Sequence, residues 1–234
     1  LAMADRRELI AKLVRALALP GVDGVLVTAD ILDDLAVLGA LDDKIVVGSL
    51  NRGGLRGASF EFDDRFTGPD VDEMAELGFD MTKLLLRIAR EDAGTARTLE
   101  ASARAVSRAA ARRMPIMLEP FLSRRVDDRA VNDLTPDAVI ESIAVASGLG
   151  ASSAYSWLKL PVVDEMERVM RSTTLPTLLL GGDGGVPFAE LLEGWKASLA
   201  LPGVRGLVAG RSLLYPADGD SDAAVAAAAA AVHG

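Results

Sequence analysis

The sequence predicts an α/β fold, a (β/α)8 TIM barrel, and three observations point there. Short apolar strands alternate with helices along the whole chain, no two consecutive strands read as a hairpin, and the long polar segments follow strands while those entering strands are short. Strict alternation means a parallel sheet covered by helices. Long segments at the strands' carboxyl ends are where a barrel carries its site. A doubly wound open sheet is the competing fold, but no Gly-x-Gly-x-x-Gly turn follows the first strand.

The elements follow in order. Residues 5–17 form an amphipathic helix with Leu9, Ile10, Leu13, Val14 and Leu17 on one side, broken at Pro20-Gly21. Strands are expected at 24–28, 44–49, 81–88, 115–119, 155–161, 176–181 and 204–209. The helices between and after them are expected at 30–39, 70–77, 95–113, 136–147, 164–172, 187–200 and 221–232, with a short turn at 211–214. The segments 50–69 and 121–135 are polar connections, the first carrying Asn51-Arg52-Gly53-Gly54. The count is seven strands, beginning from a helix, where a barrel has eight, each preceding its helix. The expectation is therefore a barrel whose first strand is missing from this chain, with 1–234 as one domain.

Composition narrows the chemistry. Half of the 234 residues are apolar and 4% are aromatic, so the core is built from Ala, Val, Leu and Ile. No apolar run reaches the roughly 20 residues of a membrane span. The net charge of −9 argues against a nucleic-acid binder. Cysteine is absent and the one histidine, His233, is next to the last residue, so neither a cysteine or histidine metal site nor a Ser-His-Asp triad is expected. Acid-base and nucleophilic work falls to Lys, Asp, Glu or Tyr. No metal or cofactor is expected, and the setting expected is cytoplasmic, without membrane or nucleic-acid partners.

The strand 155–161, Tyr-Ser-Trp-Leu-Lys-Leu-Pro, puts Leu158 and Leu160 on one face and Tyr155, Trp157 and Lys159 on the other. A lysine there is costly unless it is paired or is meant to lose its proton. With the missing strand counted as the first, Lys83 lies on the fourth strand, Glu119 at the end of the fifth and Lys159 at the end of the sixth. Alternate strands share interior layers, so the lysines approach one another with Glu119 between. Mutual repulsion lowers the pKa of at least one lysine, which then attacks a carbonyl to form a Schiff base while the carboxylate shuttles protons. The alternative is that Glu119 simply neutralises one lysine. After the seventh and eighth strands come Gly181-Gly182 and Gly210-Arg211-Ser212. Glycines there let backbone N–H groups approach a phosphate, and Arg211 adds charge; ordinary turns are the alternative. Of the arginines near this face, Arg52 and Arg124 are the first candidates for a second phosphate or a carboxylate.

Lys-Leu-Leu-Leu-Arg at 83–87, Met-Leu-Glu-Pro-Phe at 117–121, Trp-Leu-Lys-Leu-Pro-Val at 157–162 and the glycine loops resemble, in order and spacing, class I aldolases of the deoxyribose-phosphate, fructose-bisphosphate and tagatose-bisphosphate type. Asn-Arg-Gly-Gly at 51–54, Asp-Asp-Arg-Phe-Thr-Gly at 63–68 and Ser-Arg-Arg-Val at 123–126 resemble more closely an actinobacterial family of aldolase-like barrels linked to inositol catabolism. The resemblance implies a Schiff base at Lys159, proton transfer by Glu119, Lys83 as electrostatic neighbour, and phosphate held by Gly181, Gly182, Gly210 and Arg211. Such aldolases carry an aspartate at the end of the first strand, and no such strand is read here. The implied substrate is a phosphorylated ketose or keto-sugar acid, 5-dehydro-2-deoxygluconate 6-phosphate first and deoxyribose 5-phosphate next, handled by a homo-oligomer. The rivals are a transaldolase, a dehydratase and a non-catalytic phosphate-ester-binding barrel.

Overall fold

The structure, a computed structural model, describes residues 5–51, 57–127, 129–182 and 186–234. Seven parallel strands run in one continuous path: β1 (Gly24–Val27), β2 (Ile45–Ser49), β3 (Met81–Ile88), β4 (Ile116–Val126), β6 (Ser156–Leu160), β7 (Thr177–Leu180) and β8 (Val204–Val208). Each pairs with its neighbour in chain order, and the sheet curves into a nearly closed barrel. The path never reverses, whereas a doubly wound sheet must reverse at its switch point. Its two ends, β1 and β8, share no ladder among the described residues.

Alternation along the strands sorts the residues onto two faces. Leu84, Leu86, Ile116, Leu118, Leu158, Leu160 and Leu179 face outward into one buried cluster with the helices. Val47, Met81 and Met117 face inward, with Leu26, Trp157, Leu178 and Val208 packed against them. This inner apolar plug fills the lower barrel, so charged groups placed above it stand on a dry floor. α1 (Arg6–Ala18) shows how a helix closes the outside. Asp5 caps it by accepting the Glu8 N–H at 3.0 Å, and Leu9, Leu13 and Leu17 recur on the buried side. In α4 (Gly94–Arg112) the small residues Ala105 and Ala109 and the buried Ser102 lie against the sheet, while its arginines sit outside.

One expectation fails. Residues 121–135 are not simply a polar connection, and the chain does contain a hairpin: β4 continues to Val126 and pairs antiparallel with β5 (Arg129–Asn132), Ser123 opposite Asn132 and Val126 opposite Arg129. The turn is made by Asp127 at φ 46°, a left-handed conformation that aspartate tolerates. The hairpin rises above the barrel because alternation continues past the sheet, although half of its side chains are polar.

Candidate functional site

Strand register fixes the centre. Leu85 of β3 stands opposite Glu119 of β4, and Lys159 of β6 stands opposite Leu178 of β7. Leu118 pairs with Leu158, so Glu119 and Lys159 are the next residues up their two strands. Lys83, opposite Met117, lies two residues below Leu85, roughly 7 Å down the barrel at about 3.3 Å per residue. Its long side chain makes up the difference. The Glu119 carboxylate bridges both ammonium groups, with Oε2 2.5 Å from Lys83 Nζ and Oε1 accepting from Lys159 Nζ at 2.7 Å. All three side chains are only 11–12% exposed.

Two ammonium groups therefore share one carboxylate. Burial of Glu119 opposes its ionisation, but Lys83 and Lys159 outweigh that and hold its carboxyl below the usual carboxylate range. Lys159 is pushed below the ordinary lysine value, first by burial and then by the positive charge of Lys83, with Glu119 pulling the other way. The arrangement is a buried amine whose pKa is lowered, with a proton acceptor already in contact.

Above this layer, on β3, Arg87 points into the mouth and is held by Asp64 and Glu61. Its Nε donates to Asp64 Oδ1 at 3.0 Å, its terminal nitrogen lies 2.5 Å from the same oxygen and also donates to the Glu61 carbonyl, and its backbone N–H donates to Asp64 Oδ2 at 3.1 Å. Arg65 and Arg97 close on Asp63 at 2.9 and 3.0 Å. Phe62 is sandwiched between Arg87 and Arg125, 5.5 and 5.3 Å from its ring centre, so these arginines brace the segment 57–66 against the barrel.

At the other side of the mouth, the loops after β7 and β8 meet. Gly181 has no room for a side chain: a Cβ there would come within 2.5 Å of the Ala209 Cβ. Its N–H donates to the Val208 carbonyl at 3.1 Å, continuing the ladder, so Gly181 does not offer that N–H to a phosphate. Gly181 also brings the two loops together, helped by Ser212 Oγ donating to its carbonyl at 3.3 Å. Gly182 turns away at φ 74°, and Gly210 and Arg211 open α8 (Arg211–Leu214). Residues 183–185 of that loop, and Arg52, lie outside the described residues. Arg124 sits elsewhere, on the β4–β5 hairpin, where it is exposed and helps to hold the Asp133 carboxyl low after two hydrogen bonds to Thr135. A cavity of about 380 Å³ beside it is lined by Phe62, Leu122, Arg124, Arg125 and Asp133 and does not include either lysine. Among the described residues no group of three or more His, Cys, Asp or Glu is placed to hold a metal ion, and no helix is long and apolar enough to cross a membrane.

The sequence reading missed Asn51. Its carboxamide is buried and grips the peptide of Leu85, donating to the carbonyl at 2.8 Å and accepting the N–H at 2.7 Å. An asparagine just past a strand end was the available signal.

Comparison with known proteins agrees with this architecture. A family model described as Cgl0159-like matches residues 1–229. The crystal structure of Cgl0159 from Corynebacterium glutamicum (Brevibacterium flavum) is 63% identical with a TM-score of 0.97, covering 100% of this chain and 78% of that one. An archaeal fructose 1,6-bisphosphate aldolase is 18% identical with a TM-score of 0.71, covering 98% of this chain and 84% of its own. A Schiff base forming fructose-1,6-bisphosphate aldolase is 19% identical with a TM-score of 0.70, covering 95% and 82%. At such identities the last two show a common fold alone. No curated protein matches the chain.

Proposed function

The chain belongs to the Cgl0159-like family, and on that premise we propose that it is a class I aldolase, making or breaking a carbon–carbon bond through a Schiff base at Lys159. The observation that carries this reading is the single carboxylate of Glu119 in contact with two buried ammonium groups. Transfer of one proton from Lys159 to Glu119 leaves a neutral amine, an ammonium on Lys83 and a carboxylic acid. The amine adds to a substrate ketone to give a carbinolamine, Glu119 returns the proton to the carbinolamine oxygen, and water leaves to form the iminium. In the cleavage direction a substrate hydroxyl gives its proton to the Glu119 carboxylate, the adjacent carbon–carbon bond breaks, its electron pair moves into the iminium to give an enamine, and Glu119 keeps that proton for the enamine carbon. An aldehyde departs. Protonation of the enamine carbon and hydrolysis of the iminium release the second fragment and the free lysine. Lys83 does not bond to substrate; its charge favours the neutral form of Lys159.

Phosphate at the substrate's end would be held by Gly182, Gly210 and Arg211, at the strand-end position where barrels often bind it. A phosphorylated ketose or keto-sugar acid fits, with 5-dehydro-2-deoxygluconate 6-phosphate heading the panel and deoxyribose 5-phosphate next, both on the strength of the sequence resemblance. The test is product analysis: a panel of sugar phosphates should include one from which the protein releases an aldehyde and a ketone fragment. In an Arg211→Ala variant, affinity for that compound should fall about tenfold or more, the worth of a hydrogen bond to a charged group, while its dephosphorylated form is little affected. Isomerisation or dehydration in place of cleavage would overturn the aldolase reading, and equal losses for both compounds would remove Arg211 from the phosphate site.

A further inference from the structure

The β2–β3 ladder stops at Lys83, below the level of Leu85 and Glu119. Its last described rung is the Leu50 N–H to the Lys83 carbonyl at 2.8 Å. In a parallel ladder the next rung would run from the Leu85 N–H to the Leu50 carbonyl. Here the Leu50 carbonyl accepts from the Gly68 N–H at 3.4 Å instead. The orphaned Leu85 N–H and carbonyl are taken by the two ends of the Asn51 carboxamide at 2.7 and 2.8 Å, and the Arg87 N–H is taken by Asp64. The Asn51 amide nitrogen also donates to the Asp64 carbonyl at 3.0 Å. Side chains thus replace a strand along the upper edge of β3, and Asn51 is 1% exposed, so water does not substitute for it. Leu85 is the residue opposite Glu119 and two residues above Lys83.

We propose that Asn51 is a positioning residue for the Lys83–Glu119–Lys159 cluster, fixing the β2-facing edge of upper β3, whose other edge is paired with β4, so that one carboxylate meets both ammonium groups. It rests on the aldolase reading only for its purpose; the geometry is independent of the reaction. Lys159 is faced by Glu119 from β4 and by Lys83 from β3, the charged groups of the described residues that act on it. If β3 loosens, Lys83 withdraws, Glu119 pairs with Lys159 alone and water enters. All three changes favour the ammonium form of Lys159.

The experiment is reductive methylation of the full chain by formaldehyde and cyanoborohydride across a pH series, with Lys159 followed by peptide mass spectrometry. The neutral amine condenses with formaldehyde, losing water, and hydride from cyanoborohydride reduces the imine. No sugar phosphate is needed, so the difference between variant and parent reads the role of Asn51 whether or not the chain cleaves sugars; an ordinary lysine midpoint in the parent would count instead against the aldolase reading. In Asn51→Ala the Lys159 midpoint should move about one pH unit to the alkaline side, a tenfold loss of neutral amine at fixed pH, and exchange of the Leu85 amide should accelerate. Asn51→Asp keeps an acceptor for the Leu85 N–H and loses both donors, so it should fall between the two. A midpoint unchanged from the parent in folded variants would overturn the proposal, leaving Asn51 as a brace for the loop; loss of the fold in both would do the same.

Discussion

Two buried clusters of charge lie one above the other along β3, around Arg87 and around Lys83, and they are opposite in kind. In the upper one, Arg87 is held by Asp64 and by the carbonyl and carboxylate of Glu61, and a guanidinium does not lose its proton in proteins. In the lower one, two lysines share Glu119, one positive charge is in excess, and lysine is the cation whose pKa burial moves readily. The difference separates a brace from a reactive site. Both are buried ion clusters with one cation on β3, and what distinguishes them is charge balance and the identity of the cation.

Substitutions should break that contrast in order of size. Asp64→Ala leaves the buried guanidinium with the Glu61 carboxylate, at 3.9 Å, as its counter-charge and should cost about 3–5 kcal/mol, lowering the melting temperature by roughly 6–20 °C for a chain of this size. Lys159→Met instead leaves a one-to-one pair of Lys83 with Glu119 and should lower the melting temperature by only a few degrees in a parallel scan. Comparable losses in the two variants would erase the distinction.

Acid unfolding sharpens it. The folded-state pKa of Glu119 lies below its unfolded value, so its stabilising contribution is complete above the ordinary carboxylate range and is lost as pH falls through the folded value. Glu119→Gln should flatten the acid limb of a stability–pH curve. The depressed Lys159 acts in the opposite limb: the unfolded chain binds more protons between its folded pKa and the ordinary lysine value, so stability should rise with pH across that interval. Denaturation midpoints measured across the pH range would check both signs.

Lys83→Met gives the smallest shift. With the neighbouring positive charge gone, the pKa of Lys159 rises, so the pH dependence of imine formation should move to the alkaline side by about one unit, without loss of the imine itself. A profile that stays in place would mean that burial alone sets the state of Lys159.

The barrel, the two faces of the strand carrying Lys159, and the lysines themselves were legible because a charged residue inside an alternating apolar strand is conspicuous. The β4–β5 hairpin was not: Val126-Asp127-Asp128-Arg129 has no glycine, and its alternation is between polar and half-polar residues. Asn51 and Gly181 depend on where individual backbone N–H groups go, which strand pairing decides and residue type does not. For the same reason the ladder hydrogen bond from Gly181 to Val208 was not legible in the residue type.

The central claim is that Lys159 is the amine that bonds to substrate. Borohydride reduction of the protein with a panel of ketose phosphates, followed by peptide mass spectrometry, tests it directly. The account predicts a reduced adduct on the peptide carrying Lys159, absent in Lys159→Met and present in Lys83→Met. An adduct on Lys83, or none on either lysine with any compound of the panel, would contradict it.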